Sequence, residues 1–142
     1  MGQIVGIDLG TTNSLVAAII DGQPTLIPNE RGKFITPSVV GFTESGELLV
    51  GEPAKNQAVA NPERTIASIK RLMGTAREIA FPAAATTRTP AKLSAEILKA
   101  LRGDVADQLG VAVERAVISV PALFELPQSA ATSDAARLAG FE

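Results

Sequence analysis

Asp8-Leu9-Gly10-Thr11-Thr12-Asn13-Ser14 puts a carboxylate, a glycine and two adjacent hydroxyls into one short stretch. Directly before it lies the apolar run Ile4-Val5-Gly6-Ile7. Such a run ending in a Gly-rich turn reads as a buried strand that delivers its last residues to a site. Glycine at position 10 lets backbone approach a ligand where any Cβ would collide. Successive backbone N–H groups in a tight turn make a concave anion site, to which the hydroxyls of Thr11 and Thr12 add donors. The Asp8 carboxylate would repel a phosphate unless a cation lay between them, and Mg²⁺, which keeps several of its waters, suits that place. One reading is therefore half of a metal–phosphate clamp, with Asp8 on the metal side and Gly10, Thr11, Thr12 and Asn13 on the phosphate side. The other is an ordinary hairpin turn, because Gly and Asn favour turns for purely local reasons.

The rest of the inventory narrows the chemistry. The 142 residues contain no cysteine and no histidine. That excludes disulfides, thiolate nucleophiles, imidazole acid–base catalysis and histidine metal sites. What remains is carboxylates, lysine, hydroxyls, backbone dipoles and a hard cation, a set suited to phosphoryl transfer, which depends on positioning and charge stabilisation. A net charge of −2 gives no general attraction to nucleic acid or anionic membrane. No apolar run approaches the roughly 18 residues of a membrane span. The start Met1-Gly2-Gln3 carries no basic segment followed by an apolar core, so no signal peptide is read and the cytoplasm is the default expectation. Neither G-x-x-x-x-G-K-[ST] nor G-x-G-x-x-G occurs, which argues against P-loop and Rossmann nucleotide sites.

The elements that must hold the loop follow from periodicity. Ile4–Leu9, Leu15–Ile20 and Thr25–Ile27 predict an antiparallel meander, with Asp21-Gly22 as a hairpin turn. Ser38–Phe42 and Glu47–Val50 predict a second hairpin around Ser45-Gly46. A short helix follows Gly51, and Asn61-Pro62 is expected to cap and open another, with Ile66, Ile69 and Met73 on its apolar stripe and Gly74 as its stop. Residues 74–89, rich in Ala, Thr and Pro, have weak periodicity. Thr89-Pro90 opens the clearest helix, with Leu93, Ile97, Leu101, Val105 and Leu109 on one stripe and Gly110 closing it. Ala116–Val120 predicts a buried strand, added parallel to the first through a helical crossover. A last helix is expected over about 127–139, with alanine on its inner face. The fold class is thus α/β: a mixed sheet, meander plus parallel strand, flanked by helices.

Ile7-Asp8-Leu9-Gly10-Thr11-Thr12-Asn13-Ser14 resembles the first phosphate loop of the Hsp70 chaperones, within the actin and sugar-kinase superfamily. Further stretches match that family in order: Thr36-Pro37-Ser38-Val39-Val40, then Val50-Gly51-Glu52-Pro53-Ala54-Lys55-Asn56-Gln57-Ala58 with Asn61-Pro62-Glu63-Arg64-Thr65, then Ile69-Lys70-Arg71-Leu72-Met73-Gly74, and Ala116–Ala122 with Phe124. The resemblance implies a ribonuclease-H-like lobe of an actin-like ATPase. Its core subdomain would span about 1–36 and 111–142, and a small upper subdomain about 37–110.

It further implies that Asp8 holds Mg²⁺ through water, that Gly10–Asn13 wrap the phosphates of ATP or ADP, and that Lys70 is a catalytic lysine reaching the γ-phosphate. Pro121 and Arg71 would belong to the relay between nucleotide state and a substrate domain. The parent would be an ATPase acting on unfolded polypeptide clients, with a J-domain co-chaperone and a nucleotide exchange factor as partners. The chain would supply lobe I alone, one wall of a cleft, and would be inactive by itself. Departures fall on the relay rather than on the loop. Leu123, Phe124, Glu125 and Leu126 stand where the family shows an aromatic, Phe and Asn-Asp, Ser129 replaces a family arginine, and 74–89 looks shortened by much of a hairpin. These mark a divergent member. A sugar-kinase-like phosphotransferase and a non-enzymatic actin-like or degenerate binding module are the alternatives within the superfamily.

Overall fold

The computed structural model describes residues 3–67, 69, 73–74, 79–81, 86–119 and 126–141. The chain opens with the expected meander, β1 (Gln3–Leu9), β2 (Asn13–Ile20) and β3 (Gln23–Leu26). β1 and β2 pair antiparallel from Val5↔Ala18 to Leu9↔Ser14. Asp21 and Gly22 have φ of 51° and 78°, the left-handed pair that a tight hairpin turn needs to match strand twist. The third strand begins two residues earlier than its periodicity suggested. Ile27 nevertheless remains tied to the ladder, its N–H donating to Val16 O at 3.0 Å.

Next come β4 (Thr36–Pro37), β5 (Val39–Phe42) and β6 (Leu48–Val50). β4 pairs with Asn13 and Ser14 at the start of β2, so one strand edge is shared between β3 and β4. β5 and β6 form the predicted second hairpin. Helix α1 (Glu52–Gln57) follows. The helix expected from Asn61-Pro62 does not form there. A single 3₁₀ turn over Pro62–Arg64 leads instead into strand β7 (Thr65–Ala67), which pairs with β5 through Val40↔Ile66 and Gly41↔Thr65. Asn61 caps no helix, and its Oδ1 accepts from the Arg64 guanidinium. β-branched Thr65 and Ile66 fit a pleated surface better than a helical one, and the sheet edge offered by β5 decides the contest. Ile69 and Met73 are buried as the stripe required.

The undecided region contains a short antiparallel ladder, β8 (Ile79–Phe81) with β9 (Thr86–Arg88), so a hairpin of three pairs is present there. α2 (Pro90–Leu109) starts at Thr89, whose side chain accepts from the Lys92 N–H, and ends at Gly110 in the left-handed conformation. Leu93, Ile97, Leu101 and Val105 are almost wholly buried. β10 (Val113–Ser119) pairs parallel with β1 from Gln3↔Val113 to Asp8↔Ser119, the predicted topology. α3 (Leu126–Leu138) then packs Thr132, Ala135 and the following Ala139 inward.

Among the described residues the main sheet runs β10-β1-β2-β3, with β4 beside β2, and β6-β5-β7 forms a second sheet. α2 lies in the seam, touching β2 and β10 of the first sheet and β5 and β6 of the second. β10 is not buried on both faces as its apolar run suggested. Val117 is 70% exposed and Ile4 44%, because among the described residues the helices cover the face that carries Val5, Ile7 and Leu9. Asp8, two residues beyond Gly6, falls on the uncovered face by strand alternation. No helix among the described residues is long and apolar enough to cross a membrane.

Candidate phosphate and metal site

β1 ends by presenting Asp8 at the surface, flanked in register by Leu15 on β2 and Ser119 on β10. The Ser119 hydroxyl donates to Asp8 Oδ1 at 3.2 Å. One oxygen of the carboxylate is thereby oriented while the group stays accessible to solvent.

The chain then reverses through Gly10, Thr11, Thr12 and Asn13. A Cβ built on Gly10 would lie 2.2 Å from the Asn13 carbonyl oxygen. Only glycine allows that approach, since the obstacle is backbone. The bend is not closed by the usual turn bond from the Asn13 N–H to the Gly10 carbonyl. Gly10 O instead accepts from the Ser38 hydroxyl at 2.8 Å, and Thr12 O accepts from the Ser38 N–H at 2.9 Å. Ser38 is buried and in contact with buried Ser14, their hydroxyl oxygens 2.7 Å apart. Thr12 and Asn13 are exposed and Thr11 half-exposed, so the polar tips of the loop face water while its carbonyls are held from behind.

The donor set fits a hydrated Mg²⁺ better than a caged metal. Asp8 is a single carboxylate, and among the described residues no three acidic groups converge. A small hard cation that keeps several waters and takes the remaining ligands from phosphate oxygens needs no more than that. Beside the loop a cleft of about 560 Å³ opens, lined in part by Asn13, Lys33, Phe34, Ile35, Glu52 and Lys55. It meets the loop only at Asn13. Lys33 is paired with Glu52 at 3.1 Å, with Arg31 farther out at 3.9 Å.

The structure therefore brings Asp8, Gly10, Thr11, Thr12 and Asn13 to one end of the main sheet. Lys70, Arg71 and Pro121 lie outside the described residues, as do Leu123, Phe124 and Glu125. Three serines absent from the predicted site sit in it: Ser14, Ser38 and Ser119. Nothing in local periodicity marks Ser119, which reaches Asp8 only through the parallel pairing of strands. Ser38 likewise reaches Gly10 and Thr12 only through the pairing of β4 with the start of β2.

Burial within a second, narrow cleft pushes the Asp104 carboxyl up to about 6, with the charges of Glu30 and Asp107 adding to the effect. That cleft lies between α2 and the loop preceding β4, away from Asp8.

The model of a protein family described as Hsp70 protein matches residues 4–142. The match covers the three sheets and three α-helices found among the described residues, Gln3 apart, and the Gly10–Asn13 loop, and it separates the chain from the sugar-kinase and filament alternatives at the level of family.

Proposed function

From the chain's membership of the Hsp70 family, as the N-terminal part of the nucleotide-binding domain over residues 4–142, we propose that Gly10–Asn13 bind the phosphates of ATP and that the parent protein couples ATP hydrolysis to binding and release of unfolded polypeptides. The observation that carries the reading is the Gly10–Asn13 bend itself. Its carbonyls are drawn back by Ser38, a glycine stands where no Cβ fits, and an exposed carboxylate lies at the end of the preceding strand.

In this reading the backbone N–H groups of Thr11, Thr12 and Asn13, with the hydroxyls of the two threonines, hold phosphate oxygens, as a backbone nest does. Asp8 holds Mg²⁺ through water, with Ser119 fixing the carboxylate's orientation. The ion supplies charge neutralisation on the transferred group. Lys70 adds a flexible cation toward the γ-phosphate, and Pro121 with Arg71 carries the nucleotide state onward to clients, a J-domain partner and an exchange factor. A core of about 1–36 with 111–142 and an upper part of about 37–110 meet near Ser38. We place the protein in the cytoplasm. Taken alone, this chain binds Mg·ATP weakly and does not turn it over, because one phosphate loop buries little of the ligand.

The test is an NMR titration of the chain with Mg·ATP, following the amides of residues 10–13. Those amides are expected to shift in the wild type and not in Gly10→Ala, whose Cβ forces the loop open. Shifts confined to other parts of the chain, or an unaltered response in Gly10→Ala, would overturn the assignment.

A further inference from the structure

Ser38 controls which backbone groups the loop presents. Its hydroxyl has one proton, and that proton goes to Gly10 O. The 2.7 Å contact with Ser14 must then run the other way, with Ser14 donating to Ser38 Oγ. The relay has a fixed direction, Ser14 to Ser38 to Gly10. A trans peptide holds its C=O and N–H antiparallel. Drawing the Gly10 carbonyl toward Ser38 therefore turns the Thr11 N–H away from it, and drawing the Thr12 carbonyl to the Ser38 N–H does the same for Asn13.

A second effect follows at Gly10. In a regular four-residue turn its carbonyl would accept from the Asn13 N–H. Here that carbonyl is directed at the Ser38 hydroxyl instead, and the turn bond is not made. One more donor is left to the loop's open side.

We propose that Ser38, oriented by Ser14, is a positioning residue that keeps the Asn13 N–H out of a turn bond and so available to an anion; the proposal rests on the phosphate-loop reading above. It also links the loop to the second sheet, because Ser38 sits between β4 and β5. Neither serine touches the phosphate itself.

Amide hydrogen exchange and NMR titration of the whole chain test this. In the wild type the Asn13 amide should exchange freely. Ser38→Ala keeps the backbone bond to Thr12 O but loses the hydroxyl on Gly10 O. If that hydroxyl is what holds the turn open, the released Gly10 carbonyl closes onto the Asn13 N–H and protects it at least tenfold. Ser38→Thr, which keeps the donor, should restore free exchange. Affinity of the loop for Mg·ATP should fall roughly tenfold in Ser38→Ala, the scale of one lost hydrogen bond to a charged group, and much less in Ser14→Ala. A protected Asn13 amide in the wild type would overturn the proposal without any variant. Unchanged Asn13 exchange and Mg·ATP affinity in a folded Ser38→Ala would overturn it while leaving the phosphate reading standing. Absence of any Mg·ATP response at residues 10–13 of the wild type would bring down both.

Discussion

Asp104→Asn should stabilise the protein at neutral pH and do little in acid. Asp104 lies on α2 in a cleft of about 50 Å³, shared with Asn29, Glu30, Arg31 and Glu52. Asp107 stands one turn further along the same helix. Glu52 is engaged by Lys33 and Arg31, and among the described residues Asp104 faces Glu30 with no ion pair to a cation. Its carboxyl is raised from 3.8 to about 6, chiefly by burial. A folded-state value above the unfolded one means that the folded chain binds the proton more tightly. The associated stability is complete below the unfolded value of 3.8 and is lost as pH rises through about 6. The full shift corresponds to about 3 kcal/mol. The site is only half-buried, so screening reduces this to roughly 1 kcal/mol. Asparagine removes the charge at nearly constant volume. Urea unfolding at pH 7.5 should therefore show a higher midpoint for Asp104→Asn by the equivalent of about 1 kcal/mol, and the two curves should converge near pH 4. A gain that is the same at both pH values, or a loss at pH 7.5, would refute the reasoning.

Other outcomes follow from named contacts. In the parent protein, Lys70→Ala should lower the single-turnover rate on the order of 10²–10³ while nucleotide binding survives, whereas Asp8→Asn should weaken the Mg²⁺-dependent part of ATP affinity. Hydrolysis at the wild-type rate in Lys70→Ala would make that lysine a solvated surface residue. Arg102 donates from Nε to Val113 O at 2.6 Å and stacks its guanidinium 5.8 Å from the Phe141 ring centroid. Arg102→Ala should cost roughly 1–3 kcal/mol in urea unfolding. Arg102→Lys should recover only part of that, since a lysine lacks the planar fork.

What was legible in the chain depended on whether the deciding contact was local. The Asp21-Gly22 turn, the Thr89 cap, the stripe from Leu93 to Val105 and the Gly110 stop are set by residues within a few positions, and each could be read directly. Gly10 was legible because a glycine between an apolar run and two threonines has few other uses. Thr65 and Ile66 were misread as helical because Ile66, Ile69 and Met73 share a helical spacing, while the competing partner, β5, lies 26 residues upstream in the ladder, Val40 facing Ile66. The exposed face of β10 was hidden for a related reason: an apolar run does not say how many of its faces will be covered. Ser38 and Ser119 share this limitation, since each acts on a loop or carboxylate brought to it by strand pairing.

The pairing of Asp8 with Ser119 has a kinetic side. The two residues are 111 positions apart, whereas the loop and its Ser38 clamp lie within the first two hairpins. At a synthesis rate of about 5–20 residues per second, on the order of 10 s separates the emergence of the carboxylate from that of the strand that completes its surroundings. Throughout that interval β1 has one edge unpaired, a ready template for association with another chain. The β1–β2 hairpin can shape the loop early, but the sheet that holds Asp8 closes only when β10 arrives. A ribosome pausing between β5 and β10 would prolong the period in which the nascent chain carries a shaped loop on an open-edged sheet.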